Sequence, residues 1–363
     1  MTEKDFVPAA YQNLKEEGKV GFKSPSNIAL VKYWGKRAHQ IPANPSISFT
    51  LDACATKTIL SYKKLAKRAA DFSFELFFEG KPKPSFAPKI KTFLKRIVPY
   101  VPFLLEYHFV IETSNSFPHS SGIASSASGM SALALCIMEI EKELNPEMTE
   151  AHFIQKGSFL SRLGSGSACR SLQGAIIQWG AHAATEGSSD LYGIKYPYEV
   201  HKIFENYHDT ILLVDKGEKQ VSSTVGHDLM HNHPFADQRF AQAHENLTKL
   251  KAVFKSGNLE EFIKIVESEA LTLHAMMMTS YPYFILMKPN TLEIINKIWA
   301  FRERSGTHVC FTLDAGANVH VLYPENEKEA VYQFIKNELV VYCQNQQYIC
   351  DRIGFGAKRL NVS

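Results

Sequence analysis

The stretch Pro118-His-Ser-Ser-Gly-Ile-Ala-Ser-Ser-Ala-Ser128 joins a segment of strand character to a long helix, and its small residues let backbone N–H groups approach a ligand closely. The helix is read over 126–144, where Met130, Leu133, Ile137, Ile140 and Leu144 recur at spacings of three and four. Its N-terminus faces the loop and carries about half a positive charge. Together they can hold a phosphate without a lysine. A flexible loop ending in a serine N-cap accounts for the same residues. No Gly-x-x-x-x-Gly-Lys-Ser/Thr occurs in the chain, which excludes a P-loop nucleotide site.

Upstream of this stretch, Ile47, Phe49 and Leu51 alternate as in a strand, and 56–62, 72–78 and 107–111 read the same way. The first hundred residues are therefore strand-rich, with a short helix over 89–98. Downstream, the pattern predicts a helix over 151–163, a strand over 175–179 and a polar surface loop over 184–189. Irregular sequence around 196–206 offers a boundary between two domains, 1–200 and 201–363. The second half reads as a strand over 210–214, helices over 237–254, 259–276 and 292–304, and strands over 308–313 and 319–323 around a tight turn. A helix over 328–339 and a strand near 348–353 complete it. No internal repeat is visible, and the order of elements is α+β, not a regular βαβ alternation.

Composition narrows the function. The chain has 363 residues, 45% of them hydrophobic, enough for a large core. Lys and Arg number 40 against 37 Asp and Glu, a net charge of +3, so a general nucleic-acid footprint is not expected. No apolar run reaches the ~18 residues of a membrane span. The charged segment 1–17 has no signal-peptide core, which sets the expectation of an unsecreted protein. Six scattered cysteines without a Cys-x-x-Cys suit reduced thiols in the cytoplasm.

Three further strings can carry chemistry. Gly164-Ser-Gly-Ser-Ala-Cys-Arg170-Ser brings N–H and hydroxyl donors together before an arginine fork that could grip a carboxylate or phosphate in two places. It lacks the third glycine of a dinucleotide fingerprint and follows a helix instead of a strand. A tight turn with Arg170 as a surface charge is the plainer reading. Asn27-Ile-Ala-Leu-Val-Lys32-Tyr-Trp-Gly-Lys36-Arg37 gathers three cations around aromatics, and Pro42-Ala-Asn44-Pro-Ser46-Ile-Ser48 adds polar groups; an anion would suit both, although Lys32 and Lys36 can equally be solvated ends of an amphipathic strand. Thr312-Leu-Asp314-Ala-Gly-Ala-Asn318 puts an acid at the end of an apolar strand, where it can serve a site or merely the turn. His227, His231 and His233 have metal-like spacing but no nearby acid or cysteine completes a set. The stretches 276–278 and 281–287 read as core and helix-end packing.

Taken in order, the strings 27–37, 115–129, 164–171, Val221-Ser-Ser-Thr224 and Asp314-Ala-Gly-Ala-Asn318 closely resemble the diphosphomevalonate decarboxylase family of the GHMP kinase superfamily. The resemblance runs from about residue 21 to residue 323. The Lys-Tyr-Trp-Gly-Lys and Gly-Ser-Gly-Ser-Ala-Cys-Arg-Ser strings are specific to the family, whereas the serine-rich loop is shared across the superfamily. His119-Ser-Ser121 stands where the family usually has Thr-Ala-Ala, Ala317 replaces a usual proline, and the N-terminus is extended.

The resemblance implies a ribosomal-protein-S5-like N-terminal domain, a ferredoxin-like C-terminal domain and an active cleft between them. It implies ATP-dependent conversion of (R)-5-diphosphomevalonate to isopentenyl diphosphate, ADP, phosphate and carbon dioxide. By position, Asp314 would face the 3-hydroxyl, Lys32 would hold Asp314 ionised and steady the transferred phosphoryl, and Arg170 would clamp the substrate carboxylate. Asn27, Tyr33, Lys36, Ser165, Ser167 and Ser223 match substrate-binding positions. Pro118, Ser121, Gly122, Ala124, Ser125 and Ser126 match the ATP loop, with Ser126 beside the phosphates and Mg2+. The expected ligands are this substrate and Mg-ATP, with no nucleic acid or membrane, and a homodimer is compatible. Rival readings are a monophosphate decarboxylase, a mevalonate 3-kinase that stops at phosphorylation, and a non-catalytic relic; the last two would not need to keep Asp314, Lys32 and Arg170 together.

Overall fold

Two long strands, rich in apolar and β-branched residues, dominate the first half. The computed structural model describes residues 1–11, 13–118, 123–215, 217 and 223–362, with Ser223 and Thr224 by backbone alone. In chain order the elements are β1 (Glu17–Val31), β2 (Ser46–Lys64), β3 (Ser73–Phe78), β4 (Lys81–Pro82), α1 (Ala87–Ile97), β5 (Tyr107–Asn115), α2 (Ser125–Leu144) and α3 (Glu150–Gly164). There follow β6 (Ile176–Trp179), β7 (Ile194–Lys195), β8 (His208–Leu212), α4 (Ser223–Asp228), α5 (Ala236–Ser256), α6 (Leu259–Thr279) and α7 (Pro289–Ser305). The chain ends with β9 (Cys310–Thr312), β10 (Val319–Tyr323), α8 (Lys328–Phe334), β11 (Tyr348–Arg352) and β12 (Lys358–Arg359).

The strands among the described residues form two sheets, one ordered β12-β1-β2-β5-β3-β4 with β6 and β7 branching from β2, the other ordered β11-β8-β10-β9. β3 runs parallel to β5, and the connection between them carries α1. β2 is one strand where the sequence pattern suggests two, because its first part pairs with β6 and its second with β5. β1 escapes the alternation rule altogether. Almost all of it from Val20 onward is buried, since α2 and α6 both pack on it, and a strand covered on both faces shows no period of two. Two irregularities in its register, at Pro25/Asn27 and Ala29/Val31, re-aim the side chains that follow.

Phe22, Leu60, Phe109, Leu133 and Leu160 form a core between the first sheet and α2 and α3, while Phe311, Val321, Ile294 and Phe334 form one under the second sheet. A third core crosses between them: Ile28, Leu30 and Phe49 pack with Leu247 and Phe262 of α5 and α6. After β11 the chain returns to the first sheet, where Ile353 bridges Leu51 and β12 pairs with β1. The crossing between sheets lies between β7 and β8, in the irregular stretch seen in the sequence.

Three expectations need correction. The segment 281–287 is only partly core: Tyr281, Tyr283 and Ile285 are strongly exposed, while Leu286 is buried and Phe284 and Met287 pack against core clusters. The helix over 328–339 ends at Phe334 and continues as a π turn over Ile335–Leu339. Lys32 is no solvated strand end, being 2% exposed. No described helix is long and apolar enough to cross a membrane, and the cysteines are all free, with only Cys350 exposed.

Candidate active site

β1 delivers Lys32 into the interior between the two sheets. The turn joining β9 to β10 delivers Asp314 from the other side. Their meeting, Lys32 Nζ to Asp314 Oδ1 at 3.1 Å, spans 282 residues of sequence. The Asp314 side chain keeps 28% of its surface exposed, so the pair is reached from solvent on the aspartate side. Burial holds the Lys32 ammonium below the usual lysine range, and Asp314 is the main group opposing that effect.

Arg170 ends the short 3-10 turn Gly166–Arg170 that follows α3, and it is buried. Its Nε donates to Asn27 Oδ1 at 3.3 Å, an Nη donates to Ser46 Oγ, and the guanidinium stands 5.8 Å from the Trp179 ring. Among the described residues it has no ion-pair partner, so a buried guanidinium faces the cleft without a protein carboxylate in contact. Burial lowers its pKa; Cys169 and Asp314 act in the opposite direction. Asn27 fixes the same loop, donating to Ser167 O at 3.2 Å and Ser171 Oγ at 2.8 Å. The plainer reading of Arg170 as a surface charge therefore fails.

Tyr33 packs between Trp179 and His227, at centroid distances of 4.6 and 4.2 Å. A Cβ on Gly166 would come within 2.8 Å of the Tyr33 hydroxyl and 2.9 Å of Trp179, which explains the glycine there. His227 packs against the rings of Tyr33 and Trp34. It accepts the Gly35 N–H on Nδ1 at 3.0 Å, and burial pushes its pKa down to about 3, so the ring is neutral. Among the described residues no cluster of three or more His, Cys, Asp and Glu could hold an ion. Lys36 stands 3.5 Å from Asp228, at the edge of an open cavity of about 260 Å³ lined also by Arg37, His39, Arg96 and His231. His39 and Gln40 on its wall both have left-handed backbones, φ 58° and 61°, a costly geometry for side-chain-bearing residues.

At the start of α2, Ala124 is also left-handed, with φ 44°. Ser126 Oγ lies 3.3 Å from Ser165 Oγ, so the serine-rich loop and the 164–171 turn converge. Beside them opens a cavity of about 190 Å³ lined by Phe78, Phe86, Ile90, Asn115, Ser125 and Ser126, among others. Pro118, Ala124, Ser125 and Ser126 thus border or precede this cavity, while His119, Ser121 and Gly122 lie outside the described residues. The side chain of Ser223, at the start of α4, lies outside them too. Contacts link Asn27 to Ser167 and Arg170, Lys32 to Asp314, Ser165 to Ser126, and Tyr33 to His227, while Lys36 lines the separate cavity beside Asp228.

Sequence reasoning missed Glu269, Arg239 and His274. All three are buried beneath the Lys32–Asp314 pair. For Glu269 and His274 the signal was a carboxylate and an imidazole set among the apolar residues Ile265, Val266, Ala270 and Leu273 of the buried face of 259–276.

Comparison with known proteins agrees with this geometry. Residues 24–190 match the diphosphomevalonate decarboxylase-like N-terminal domain, and 210–356 match the mevalonate 5-diphosphate decarboxylase C-terminal domain. The diphosphomevalonate decarboxylase mvd1 of Aspergillus fumigatus is 29% identical over 86% of this chain and 78% of that protein; the Saccharomyces cerevisiae enzyme is 28% identical over 86% and 79%. Mevalonate diphosphate decarboxylase from Staphylococcus aureus superposes with TM-score 0.80 at 26% identity, covering 95% of this chain and 98% of that one. A structure described as MDDEF in complex with MVAPP, AMPPCP and magnesium superposes equally well, at 26% identity over 95% and 100%. The α+β architecture, with its S5-like first sheet and ferredoxin-like second, is the GHMP kinase fold. With both domain models matched in order over residues 24–190 and 210–356, the chain belongs to the diphosphomevalonate decarboxylase family.

Proposed function

We propose that this protein catalyses the ATP-dependent decarboxylation of (R)-5-diphosphomevalonate to isopentenyl diphosphate, ADP, phosphate and carbon dioxide, in the mevalonate route to isoprenoids. The observation that carries the reading is the buried Lys32 ammonium 3.1 Å from Asp314, with the unpaired Arg170 guanidinium close enough to feel Asp314's charge. Asp314 takes the proton of the tertiary 3-hydroxyl as its oxygen attacks the γ-phosphorus of ATP and ADP departs. Lys32 balances the negative charge that gathers on the moving phosphoryl group. The C3–O bond of the phosphorylated intermediate then breaks and phosphate leaves. Positive charge at C3 is quenched by the electron pair of the carboxylate C–C bond, which becomes the double bond as carbon dioxide departs. Arg170 holds that carboxylate in line, and the buried setting keeps water from C3.

ATP fits the cavity beside α2: the helix N-terminus and Ser126 meet its phosphates, and the apolar wall of Phe78, Phe86 and Ile90 suits the base. Ser126 would lie beside Mg2+ carried in with ATP, and that ion would supply neutralisation of phosphate charge. Asn27, Tyr33, Ser165, Ser167 and Ser223 bind the mevalonyl part. For the far end of the substrate the cavity by Lys36 favours a diphosphate over a monophosphate, because Arg37 and Arg96 both line it without a carboxylate partner among the described residues. We take 1–200 and 201–363 as the two domains and the cytoplasm as the compartment, given buried free thiols, and a homodimer as the assembly that light scattering would test. Assaying 5-diphosphomevalonate and 5-phosphomevalonate side by side with Mg-ATP tests the reading. Turnover of the diphosphate at least tenfold more efficient supports it, and preference for the monophosphate would overturn it.

A further inference from the structure

One helix grips both members of the catalytic pair, and it does so through their backbones. Glu269 of α6 is wholly buried and accepts the Lys32 backbone N–H at 2.8 Å. Its carboxylate also receives the Arg239 guanidinium on both oxygens and Asn246 Nδ2 at 2.7 Å. Arg239 Nη2 in turn donates to the Lys32 carbonyl at 3.0 Å, where Asn44 Nδ2 also donates at 2.9 Å. Both peptide groups of Lys32 are therefore fixed by charged or amide donors and acceptors away from water.

Five residues along α6, about 7.5 Å on the helix axis, His274 Nε2 lies 3.1 Å from the Asp314 carbonyl oxygen. A carbonyl only accepts, so Nε2 carries the proton and donates. Burial pushes the His274 pKa down to about 4, consistent with a neutral ring. The Gly316 N–H meets the same carbonyl at 2.7 Å and closes the turn. Lys32 belongs to the first sheet and Asp314 to the loop of the second, so α6 is the rigid part common to both.

We propose that Glu269 and His274 are positioning residues: spaced on one rigid helix, they set the separation of Lys32 and Asp314 across the junction of the two sheets. Neither touches the reacting atoms. This rests on the proposed function for its catalytic consequence, but the geometric claim stands apart from turnover. Misplacing a reacting group by about an ångström costs up to about a hundredfold in rate.

His274 gives the cleaner test, because Glu269→Gln would strand the buried Arg239 and could stop folding. His274→Ala removes the donor to Asp314, and His274→Gln restores one at the same reach. Competitive labelling of Lys32 by an acylating reagent, read by mass spectrometry on the ligand-free protein, reports its protection without any turnover. His274→Ala is expected to speed Lys32 labelling at least threefold, with His274→Gln near wild type, and to lower kcat about tenfold to a hundredfold with KM within about twofold. Equal labelling in all three proteins would overturn the proposal whatever the activities, as would His274→Gln behaving like His274→Ala. If labelling follows the expected order while wild-type protein releases no carbon dioxide, the positioning claim stands and the functional reading falls.

Discussion

Asp314→Asn keeps the shape of the side chain and removes its charge, and the structure says what else goes with it. At 3.1 Å and an effective dielectric constant of about 20, the Lys32–Asp314 attraction has an upper bound of about 5 kcal/mol. The exposed part of the Asp314 side chain screens some of this, so the loss on removing the carboxylate is smaller than that bound. Burial already holds Lys32 below the usual lysine range, and the substitution pushes it lower. The sign follows directly: Lys32 works as the ammonium, present below its pKa, so in the variant the alkaline fall of kcat moves to lower pH. Loss of a general base alone costs roughly 10²–10⁴-fold, and turnover at pH 7.5 should drop by about 10³-fold or more with ligand affinities little changed. Steady-state ADP release between pH 6 and 9.5, alongside calorimetric titration of each ligand, makes the measurement. A variant within tenfold of wild type, or one whose alkaline limb stays put, would refute this account of the pair.

Arg170→Lys keeps a charge but loses the two-pronged planar grip, so decarboxylation should suffer more than phosphoryl transfer; equal activity, measured as carbon dioxide released per ADP, would mean that a point charge suffices. Ser126→Ala removes a hydroxyl at the start of α2 while leaving the backbone donors, which should cost about tenfold to a hundredfold in Mg-ATP use and spare diphosphomevalonate affinity. Calorimetry that found the reverse would exchange the roles of the two small-residue loops. Arg37→Ala should raise KM for the diphosphate about tenfold or more while leaving kcat and monophosphate turnover near their starting values; an unchanged KM would remove the cavity beside Lys36 from the substrate path.

Several local elements were legible in the sequence from the spacing of their apolar residues. Helix 126–144 appears as α2 and strand 107–111 as the first part of β5, because each keeps its own period. β1 was not legible, since burial on both faces leaves no alternation to read, and this strand carries Asn27 and ends at Val31, just before Lys32. The candidate site was legible as strings: Lys32, Arg170 and Asp314 each stood out by residue type, and each had an ordinary structural alternative. What no periodicity could supply was their meeting, because contacts between residues 32 and 314 depend on how two sheets pack. The support beneath them was hidden for a related reason. Glu269 and His274 look like ordinary polar residues of an amphipathic helix until Lys32 and Asp314 are seen to need partners for their backbones. The exposed Tyr281, Tyr283 and Ile285 show the opposite failure, where hydrophobic composition was read as core and the fold left it outside.

The central claim is that the cleft couples phosphorylation of a tertiary alcohol to loss of its carboxylate. Incubation of the protein with Mg-ATP and 1-¹³C-labelled 5-diphosphomevalonate, with all products quantified together, tests it most directly. The account predicts isopentenyl diphosphate, ADP, phosphate and labelled carbon dioxide in equal amounts. ADP formed with accumulation of a stable 3-phosphorylated product and no labelled carbon dioxide would contradict it.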